Sequence, residues 1–350
     1  MKLSQAAKTL PDATNRAVQT RRHSMADLLK AATGANPVSR IAEGTGKGGL
    51  PVLILTHGSG AVCEVYPHGA TVTRYTSPTG AEVLWTSESA VFDGAKAIRG
   101  GIPVVFPQFG PAADARVGGP GTMAQHGFAR TAAWTVDAAG TKILDSGDPQ
   151  AVLTLADSAA TRALWPHAFA CSYTVVLQAA ALHCELKITN RDGPEAPPFS
   201  PQCLLHTYLA VDDVQRAMVH GLDGAKYVDK LAAEPEPRDE SNPAIRFRGE
   251  TDRVYLGSSR ESQPLTLRPS GSRLDCHAVL LDAADTITAE FDADVVVWNP
   301  HVDKAARMGD FDDDGWTKMC CLEPGVVAAD RPSVDTNGSL VLSQTISPEL

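Results

Sequence analysis

Short hydrophobic runs, in which apolar and polar positions often alternate, fill the chain from about residue 49 onward. They are rich in Val, Leu, Thr and aromatic residues, as in residues 151–157 (AVLTLAD), 172–193 (SYTVVLQAAALHCELKITNRDG) and 285–300 (DTITAEFDADVVVWNP). Turn-forming sequences such as SPTG (77–80) and SGS (270–272) separate the runs. Runs of this kind, bounded by turns, are typical of β-strands. Because no amphipathic helical period persists and strands do not alternate with helices, the pattern predicts an all-β fold, an antiparallel sandwich or barrel.

The first 48 residues differ from the rest in charge, since they carry eight basic residues and only three acidic ones. Within them, residues 24–32 (SMADLLKAA) predict a short helix capped by Ser24, and residues 43–50 (EGTGKGGL) predict a linker. We interpret residues 1–48 as a basic N-terminal extension, either mobile or an organelle transit segment. Residues 49–350 show no break in composition, so we predict that they form a single domain.

The chain of 350 residues has a formal charge of −10. Nucleic acids and membrane surfaces are polyanionic, so this charge disfavours both as general partners. A small anionic ligand, by contrast, needs only a few well-placed cations. No apolar run is long enough to span a bilayer, and no secretory signal is expected after the first residues. We therefore expect a cytoplasmic protein, or an organellar one if the basic extension is a targeting segment.

Motifs for metals and disulfides are missing from the sequence. The seven cysteines include no C-x-x-C pair, so we expect reduced and mostly buried thiols, with Cys320 and Cys321 on opposite faces of a strand. Residues 310–315 (DFDDDG) begin like an EF-hand loop, but Cys321 stands where the bidentate glutamate is required. We therefore expect a solvated acidic turn there.

The segment at residues 97–110 (AIRGGIPVVFPQFG) combines Arg99 with Gly100 and Gly101. The Arg99 guanidinium suits a phosphate or carboxylate, and the two glycines would let a ligand approach the backbone. A tight β-connection with Arg99 on the surface explains the same residues equally well.

Residues 125–130 (QHGFAR) place His126 and Arg130 close together after a glycine-rich loop. Either side chain could bind a polar ligand. Considered alone, the segment is also consistent with a surface His–Arg pair.

Two further residues are candidates for proton transfer. His206 lies among alternating Leu, Tyr and Val residues, which indicates a strand with this histidine pointing inward. Glu323 lies between an apolar strand and an apparent Pro-Gly turn, where burial would raise the pKa of its carboxyl group. The alternatives are a core histidine with satisfied hydrogen bonds and a carboxylate in a structural salt bridge.

In this order, the segments resemble the glucose-6-phosphate 1-epimerase (hexose-6-phosphate mutarotase) family of the aldose 1-epimerase, galactose mutarotase-like superfamily. The resemblance spans roughly residues 61–327 and rests on six blocks. These are KAIRGGIPVVFPQFG (96–110), QHGFAR (125–130), LLHTYLAV (204–211), GLDGAKYVDK (221–230), VVVWNPHVDKAARMGDF (295–311) and MCCLEPG (319–325).

The resemblance implies a β-supersandwich of large antiparallel sheets with the sugar in an open cleft. It also implies an isomerase that interconverts the α and β anomers of hexose 6-phosphates by opening and closing the ring. By analogy, His206 is the general acid and Glu323 the general base, and no metal or other cofactor is required. The same resemblance implies a hexose 6-phosphate as the only partner, and we expect a monomer.

Four further residues are expected to bind the substrate. By the same resemblance, Asp229 and His126 hydrogen-bond the sugar, while Arg99 and Arg130 are the candidates for its phosphate, because two forked cationic donors suit an anion. Leu209 and His301 depart from the family, which usually has an aromatic residue and a tryptophan there, and such changes could reshape the cleft wall.

Two other functions fit the same sequence. An epimerase of unphosphorylated aldoses would not need Arg99 and Arg130 to converge on one anion. A non-catalytic carbohydrate-binding protein of the same fold would need neither His206 nor Glu323 as an acid or a base.

Overall fold

The computed structural model describes residues 38–111, 123–259, 264–328 and 331–349, except for the side chain of Ser259. Residues 1–37, which include the predicted helix at residues 24–32, lie outside the described residues. The described part of the chain forms twenty-three strands and two short α-helices.

The first twelve strands, β1 to β12, are Arg40–Thr45, Pro51–Thr56, Val62–Tyr66, Thr71–Thr76, Val104–Val105, Thr135–Val136, Lys142–Ile143, Pro149–Ala156, Phe169–Leu177, Leu182–Asn190, Cys203–Leu205 and Tyr208–Ala210. The remaining strands, β13 to β23, are Met218–His220, Lys226–Asp229, Pro237–Asp239, Ile245–Arg246, Thr251–Ser259, Leu265–Arg268, Ser272–Leu281, Ile287–Phe291, Ala293–Asn299, Met319–Val326 and Ser339–Ser347. The helices are α1 (Ala159–Leu164) and α2 (His301–Ala305), and single 3-10 turns cover Lys47–Gly49, Ala129–Thr131 and Gly315–Thr317.

The strands form three antiparallel sheets. A four-stranded sheet has the order β1-β2-β3-β4. An eleven-stranded sheet has the order β16-β13-β18-β19-β23-β10-β9-β8-β6, with β20 beside β19 and β7 beside β8. An eight-stranded sheet has the order β15-β14-β17-β21-β22-β11-β5, with β12 also beside β22. The predicted all-β, antiparallel architecture is confirmed.

Alternation of side chains places one face of each large sheet in the core. In β10, for example, Leu186 and Ile188 are buried while Glu185 and Lys187 are partly exposed. Residues of all three sheets meet in one hydrophobic cluster, so the sheets share a core. Strands covered on one side only tolerate polar residues on the other, which explains the alternating pattern in the sequence.

Strand β22 differs because every one of its eight residues is buried. Cys320 and Leu322 pack into the main core, whereas Cys321 faces a second hydrophobic cluster that includes Tyr208 and Trp298. The two cysteines therefore lie on opposite faces, as predicted. The sequence predicted a Pro-Gly turn directly after Glu323. This prediction is wrong, because β22 continues to Val326.

The linker prediction also needs correction. Residues 40–45 form β1, which pairs with β2 through a register that joins Arg40 to Thr56 and Thr45 to Pro51. The chain reverses through the turn at Lys47–Gly49, where Gly48 has a positive φ of 66°. Part of the segment assigned to the extension thus belongs to the four-stranded sheet.

All seven cysteines are buried and free of disulfides, as predicted. The helices of the described residues are too short or too polar to cross a membrane.

Candidate active site

The register of β22 places His206 opposite Glu323. Tyr208 pairs with Cys321, and Cys203 pairs with Val326. Both pairs belong to one antiparallel register, and this register places residue 206 opposite residue 323. The strand pairing is interrupted between β11 and β12, next to Pro324, which has no N–H to donate. His206 Nδ1 lies 3.3 Å from Glu323 Oε1, and both residues are buried. The fold therefore brings the two predicted proton-transfer residues into direct contact.

The environment moves the pKa values of the two groups in opposite directions. Burial, reinforced by His126 and the nearby arginines, lowers the pKa of His206 well below its usual value. Burial, reinforced by Asp252, raises the pKa of Glu323 well above its usual value. Both shifts favour the uncharged form of the group concerned, as expected for side chains removed from water.

Aromatic rings hold the imidazole of His206 in place. Its ring stacks on Tyr208 with centroids 4.7 Å apart and planes 9° apart, and it meets the edge of Trp298 at 5.9 Å. The backbone N–H of His206 donates a hydrogen bond to the carbonyl of Pro103. Glu323 Oε2 is buried and has no hydrogen-bond partner among the described residues, so one carboxylate oxygen is left for a ligand.

These two residues lie on a cleft of about 340 Å³, a volume typical of small-ligand sites. The other lining residues are Arg99, Phe109, Gln125, His126, Arg130, Lys230, Asp252, Val296, Trp298, Lys304 and Met308. Five of the six predicted site residues (Arg99, His126, Arg130, His206 and Glu323) thus meet in one cleft, although about 220 residues separate the first from the last.

The two arginines are held differently. Arg99 Nη2 lies 3.2 Å from Asp310 Oδ2, and Arg99 Nη1 donates to the Tyr208 hydroxyl at 3.2 Å. Arg130 donates to the carbonyl of Gln125 at 2.7 Å and has no carboxylate partner within the described residues. Burial and the neighbouring Arg99 lower the pKa of Arg130 to about 10. Arg130 is therefore a cation in the cleft wall that contacts no carboxylate among the described residues, although the charge of the nearby Asp310 acts on it.

Asp310 explains part of the acidic segment at residues 310–315. Asp310 fixes Arg99, and the Asp312 carboxylate accepts hydrogen bonds from the backbone N–H groups of Glu88 and Ser89. The segment is a turn, as predicted, and it anchors the cleft wall to the β4–β5 connection.

The glycines after Arg99 serve the packing of the backbone. Both have a positive φ, and a Cβ atom on Gly100 would collide with the backbone of Trp85 and Thr86. A Cβ atom on Gly101 would collide with the Val72 carbonyl. Of the two alternatives left open by the sequence, the structure supports the tight β-connection for these glycines, because neighbouring chain segments occupy the space beside them.

His126 has a left-handed backbone conformation with φ of 67°, which is uncommon outside glycine. Its Nδ1 accepts a hydrogen bond from the Gly110 N–H at 3.3 Å, and its Nε2 lies 3.2 Å from the Gln125 amide nitrogen. Burial lowers the pKa of His126 well below its usual value. These contacts favour a neutral imidazole that lines the cleft.

Asp229 is the predicted site residue that the structure does not place on the cleft lining. Its carboxylate accepts from the Leu231 N–H and lies 3.9 Å from Arg253 Nε. The adjacent Lys230 lines the cleft instead, and its Nζ lies 3.4 Å from Asp252 Oδ1. Because neighbouring residues of an extended chain point to opposite sides, the difference of one position moved the side chain away from the cleft.

We expect Asp252→Asn to lower kcat/KM about 10- to 100-fold, because it removes a charged hydrogen-bond acceptor from the cleft. Asp229→Asn is the matched control, with kcat/KM near that of the unmodified protein. Steady-state kinetics of both variants tests whether Asp252, rather than Asp229, binds the substrate. A larger loss in the Asp229 variant would restore Asp229 as the sugar ligand.

The two departures from the family pattern do not line the cleft. Leu209 is buried in the main core, and His301 packs its ring against Trp316 at 4.3 Å. The expected change of the cleft wall is therefore not found at these positions.

A larger cavity, of about 750 Å³, lies beside Trp85. Its lining has five carboxylates and three cationic side chains and includes no histidine. This cavity has no imidazole in its lining and its excess of carboxylates disfavours an anion, so it is a weaker candidate for the active site.

An all-β fold with a paired imidazole and carboxyl group in a small polar cleft is compatible with an enzyme that works by acid–base chemistry. The crystal structure of a "putative mutarotase" from Salmonella typhimurium has the same fold, with a TM-score of 0.72 and 25% identity over 93% of this chain and 99% of that one. The aldose 1-epimerase family model matches residues 51–344, and the chain belongs to this family.

The relatives that carry the name "Putative glucose-6-phosphate 1-epimerase" include the following two. The one from Cenchrus ciliaris is 33% identical over 312 residues, which cover 84% of this chain and 85% of the relative. The one from Escherichia coli is 30% identical over 269 residues, which cover 76% and 79%. The implied fold and isomerase class are thus confirmed.

Proposed function

We propose that this isomerase interconverts the α and β anomers of a hexose 6-phosphate, with glucose 6-phosphate as the reference substrate. The observation that carries the proposal is the position of Arg130, a cation without a carboxylate partner in the described residues, on the cleft that holds His206 and Glu323. The names of the two relatives support the same substrate.

In the proposed reaction, His206 protonates the ring oxygen while Glu323 takes the proton of the C1 hydroxyl. The C1–O5 bond breaks and the open-chain aldehyde forms. Rotation about the C1–C2 bond presents the other face of the carbonyl, and the ring closes with the two residues in reversed roles. Both protons return to the sugar, so the reaction is balanced without any other reactant.

The charges of the cleft support a phosphorylated sugar. The lining includes four cationic side chains (Arg99, Arg130, Lys230 and Lys304) and two carboxylates (Asp252 and Glu323). Three of these cations already have acidic partners, Arg99 in Asp310, Lys230 in Asp252 and Lys304 in Glu250. Among the described residues, Arg130 is the cation of the lining that has no carboxylate partner. Arg99 and Arg130 present forked donors, which match the oxygens of a phosphate group.

Phosphate binding would also assist the histidine. The charges of Arg130 and Arg99 contribute to the lowered pKa of His206. A bound phosphate dianion would neutralise these charges and favour the protonated imidazole. The same anion that gives affinity would therefore prepare the general acid.

Interconversion of freshly dissolved α-anomers, followed by polarimetry or NMR, tests the substrate. We expect kcat/KM for glucose 6-phosphate to exceed that for glucose by at least about 100-fold, since two charged hydrogen bonds contribute about 1.5–3 kcal/mol each. Equal efficiency on both sugars would favour an epimerase of unphosphorylated aldoses. Binding of glucose 6-phosphate without any turnover would favour a non-catalytic carbohydrate-binding protein.

A further inference from the structure

Cys321 lies on the same face of β22 as Glu323, two residues before it. Its Sγ is 3.8 Å from His206 Nδ1, the nitrogen that also lies 3.3 Å from Glu323 Oε1. The ligand atoms of the three residues all lie within 4.8 Å of one another. A thiol, an imidazole and a carboxyl group therefore converge on one point, although the proposed reaction uses only two of them.

These separations match those of tetrahedral zinc ligands. Zn–N and Zn–O bonds of about 2.1 Å and a Zn–S bond of about 2.3 Å require ligand atoms roughly 3.3–3.6 Å apart at tetrahedral angles. The two separations from His206 Nδ1, 3.3 Å to Glu323 Oε1 and 3.8 Å to Cys321 Sγ, are close to these values. The Cys321 and Glu323 ligand atoms lie within 4.8 Å of each other, so side-chain rotation would complete the geometry by bringing them closer. Strand pairing fixes all three residues, because Cys321 and Glu323 share a face of β22 and His206 lies across from Glu323.

A separate observation also points to a ligand. Glu323 Oε2 is buried and has no hydrogen-bond partner among the described residues. Buried carboxylate oxygens ordinarily have a partner, and a cation or a substrate hydroxyl would provide one. His206 and Glu323 both line the cleft, which supplies a route for an ion and for a water molecule as the fourth ligand.

We propose that Cys321, His206 and Glu323 form a three-ligand site for a soft divalent cation such as Zn²⁺, and that its occupancy reversibly inhibits the enzyme. On binding, the Cys321 thiol loses its proton to solvent and the thiolate joins the imidazole and the carboxylate as a ligand. The ion thereby occupies the Glu323 carboxylate, and an imidazole bound to the ion through Nδ1 can no longer carry the second proton of a general acid. The inhibition rests on the proposed function, because it blocks the acid and the base named there.

The test compares the inhibition of three proteins by zinc chloride: the unmodified chain, Cys321→Ala and Cys320→Ala. Cys320 is the matched control, since it is equally buried on the same strand but faces the main core. We expect zinc to inhibit the unmodified protein and Cys320→Ala alike, with EDTA restoring activity. Half-inhibition of Cys321→Ala should need at least about tenfold more zinc, because a thiolate ligand is lost.

A second measurement does not depend on turnover. Cobalt(II) added to the unmodified protein should give a thiolate-to-metal charge-transfer absorption, and the Cys321 variant should lack it. If Cys321→Ala does not fold, Cys321→Ser keeps the shape of the side chain and serves in both assays. Equal zinc sensitivity of the three proteins would contradict the proposed site. The same cobalt spectrum in the unmodified protein and the Cys321 variant would also contradict it. Failure of the proposed function is distinguishable, because metal-free protein would then show no turnover of glucose 6-phosphate while the cobalt spectrum remained.

Discussion

Glu323→Gln and His206→Asn are each expected to lower kcat about 10²- to 10⁴-fold, the usual contribution of a positioned acid or base. Glutamine has the shape of glutamate but cannot take the proton of the C1 hydroxyl, and asparagine cannot protonate the ring oxygen. Substrate affinity should change much less, because the proposed phosphate contacts are made by other residues. Anomer interconversion and isothermal titration with glucose 6-phosphate measure the two effects separately.

The control for Glu323→Gln is Glu240→Gln, which changes another buried carboxyl group away from the cleft. Glu240 accepts from the Tyr255 hydroxyl at 2.9 Å and pairs with Arg253, so its loss should lower the melting temperature and leave kcat unchanged. Glu323→Gln should have the opposite profile, because a neutral amide relieves the desolvation of a buried carboxylate. Full activity in both variants of the proton-transfer pair would contradict the mechanism.

The fold was predictable because its signal is local. Strands such as β10 alternate buried and partly exposed residues, and the sequence records that alternation directly. The pairing of His206 with Glu323 was reached only through the resemblance of their neighbouring segments to a known family. No local pattern states that residues 117 positions apart lie 3.3 Å from each other.

Some errors at the site concern which side of the chain a residue presents. Asp229 and Lys230 are neighbours, and the sequence does not show which of them points into the cleft. Asp252 and Trp298 were missed for the same reason, since each is an ordinary residue of a strand until the sheet places it on the cleft. The role of the glycines after Arg99 stayed open between ligand approach and a tight β-connection, because the sequence does not show that the segments near Val72 and Thr86 pack against them.

Arg130→Met is expected to lower kcat/KM for glucose 6-phosphate about 10²- to 10³-fold. The activity on glucose should not fall, because loss of the Arg130 charge raises the pKa of His206 and favours its protonated form. The loss corresponds to one forked, charge-assisted contact with the phosphate, worth about 3–4 kcal/mol. Arg130 is a cleaner probe than Arg99, because removing Arg99 would also leave Asp310 unpaired and free the Tyr208 hydroxyl. Parallel kinetics with the two sugars measures the difference.

The stability of the same variant gives an independent readout. Arg130 is partly desolvated and unpaired in the described residues, so methionine should keep or raise the melting temperature without ligand. Glucose 6-phosphate should raise the melting temperature of the unmodified protein and of the control Arg162→Met, whose arginine lies on α1 and pairs with Asp157. Glucose 6-phosphate should have little effect on the melting temperature of Arg130→Met. An equal loss of activity on glucose and glucose 6-phosphate would assign Arg130 to the sugar ring or to the support of His206, and the phosphate would then need another site.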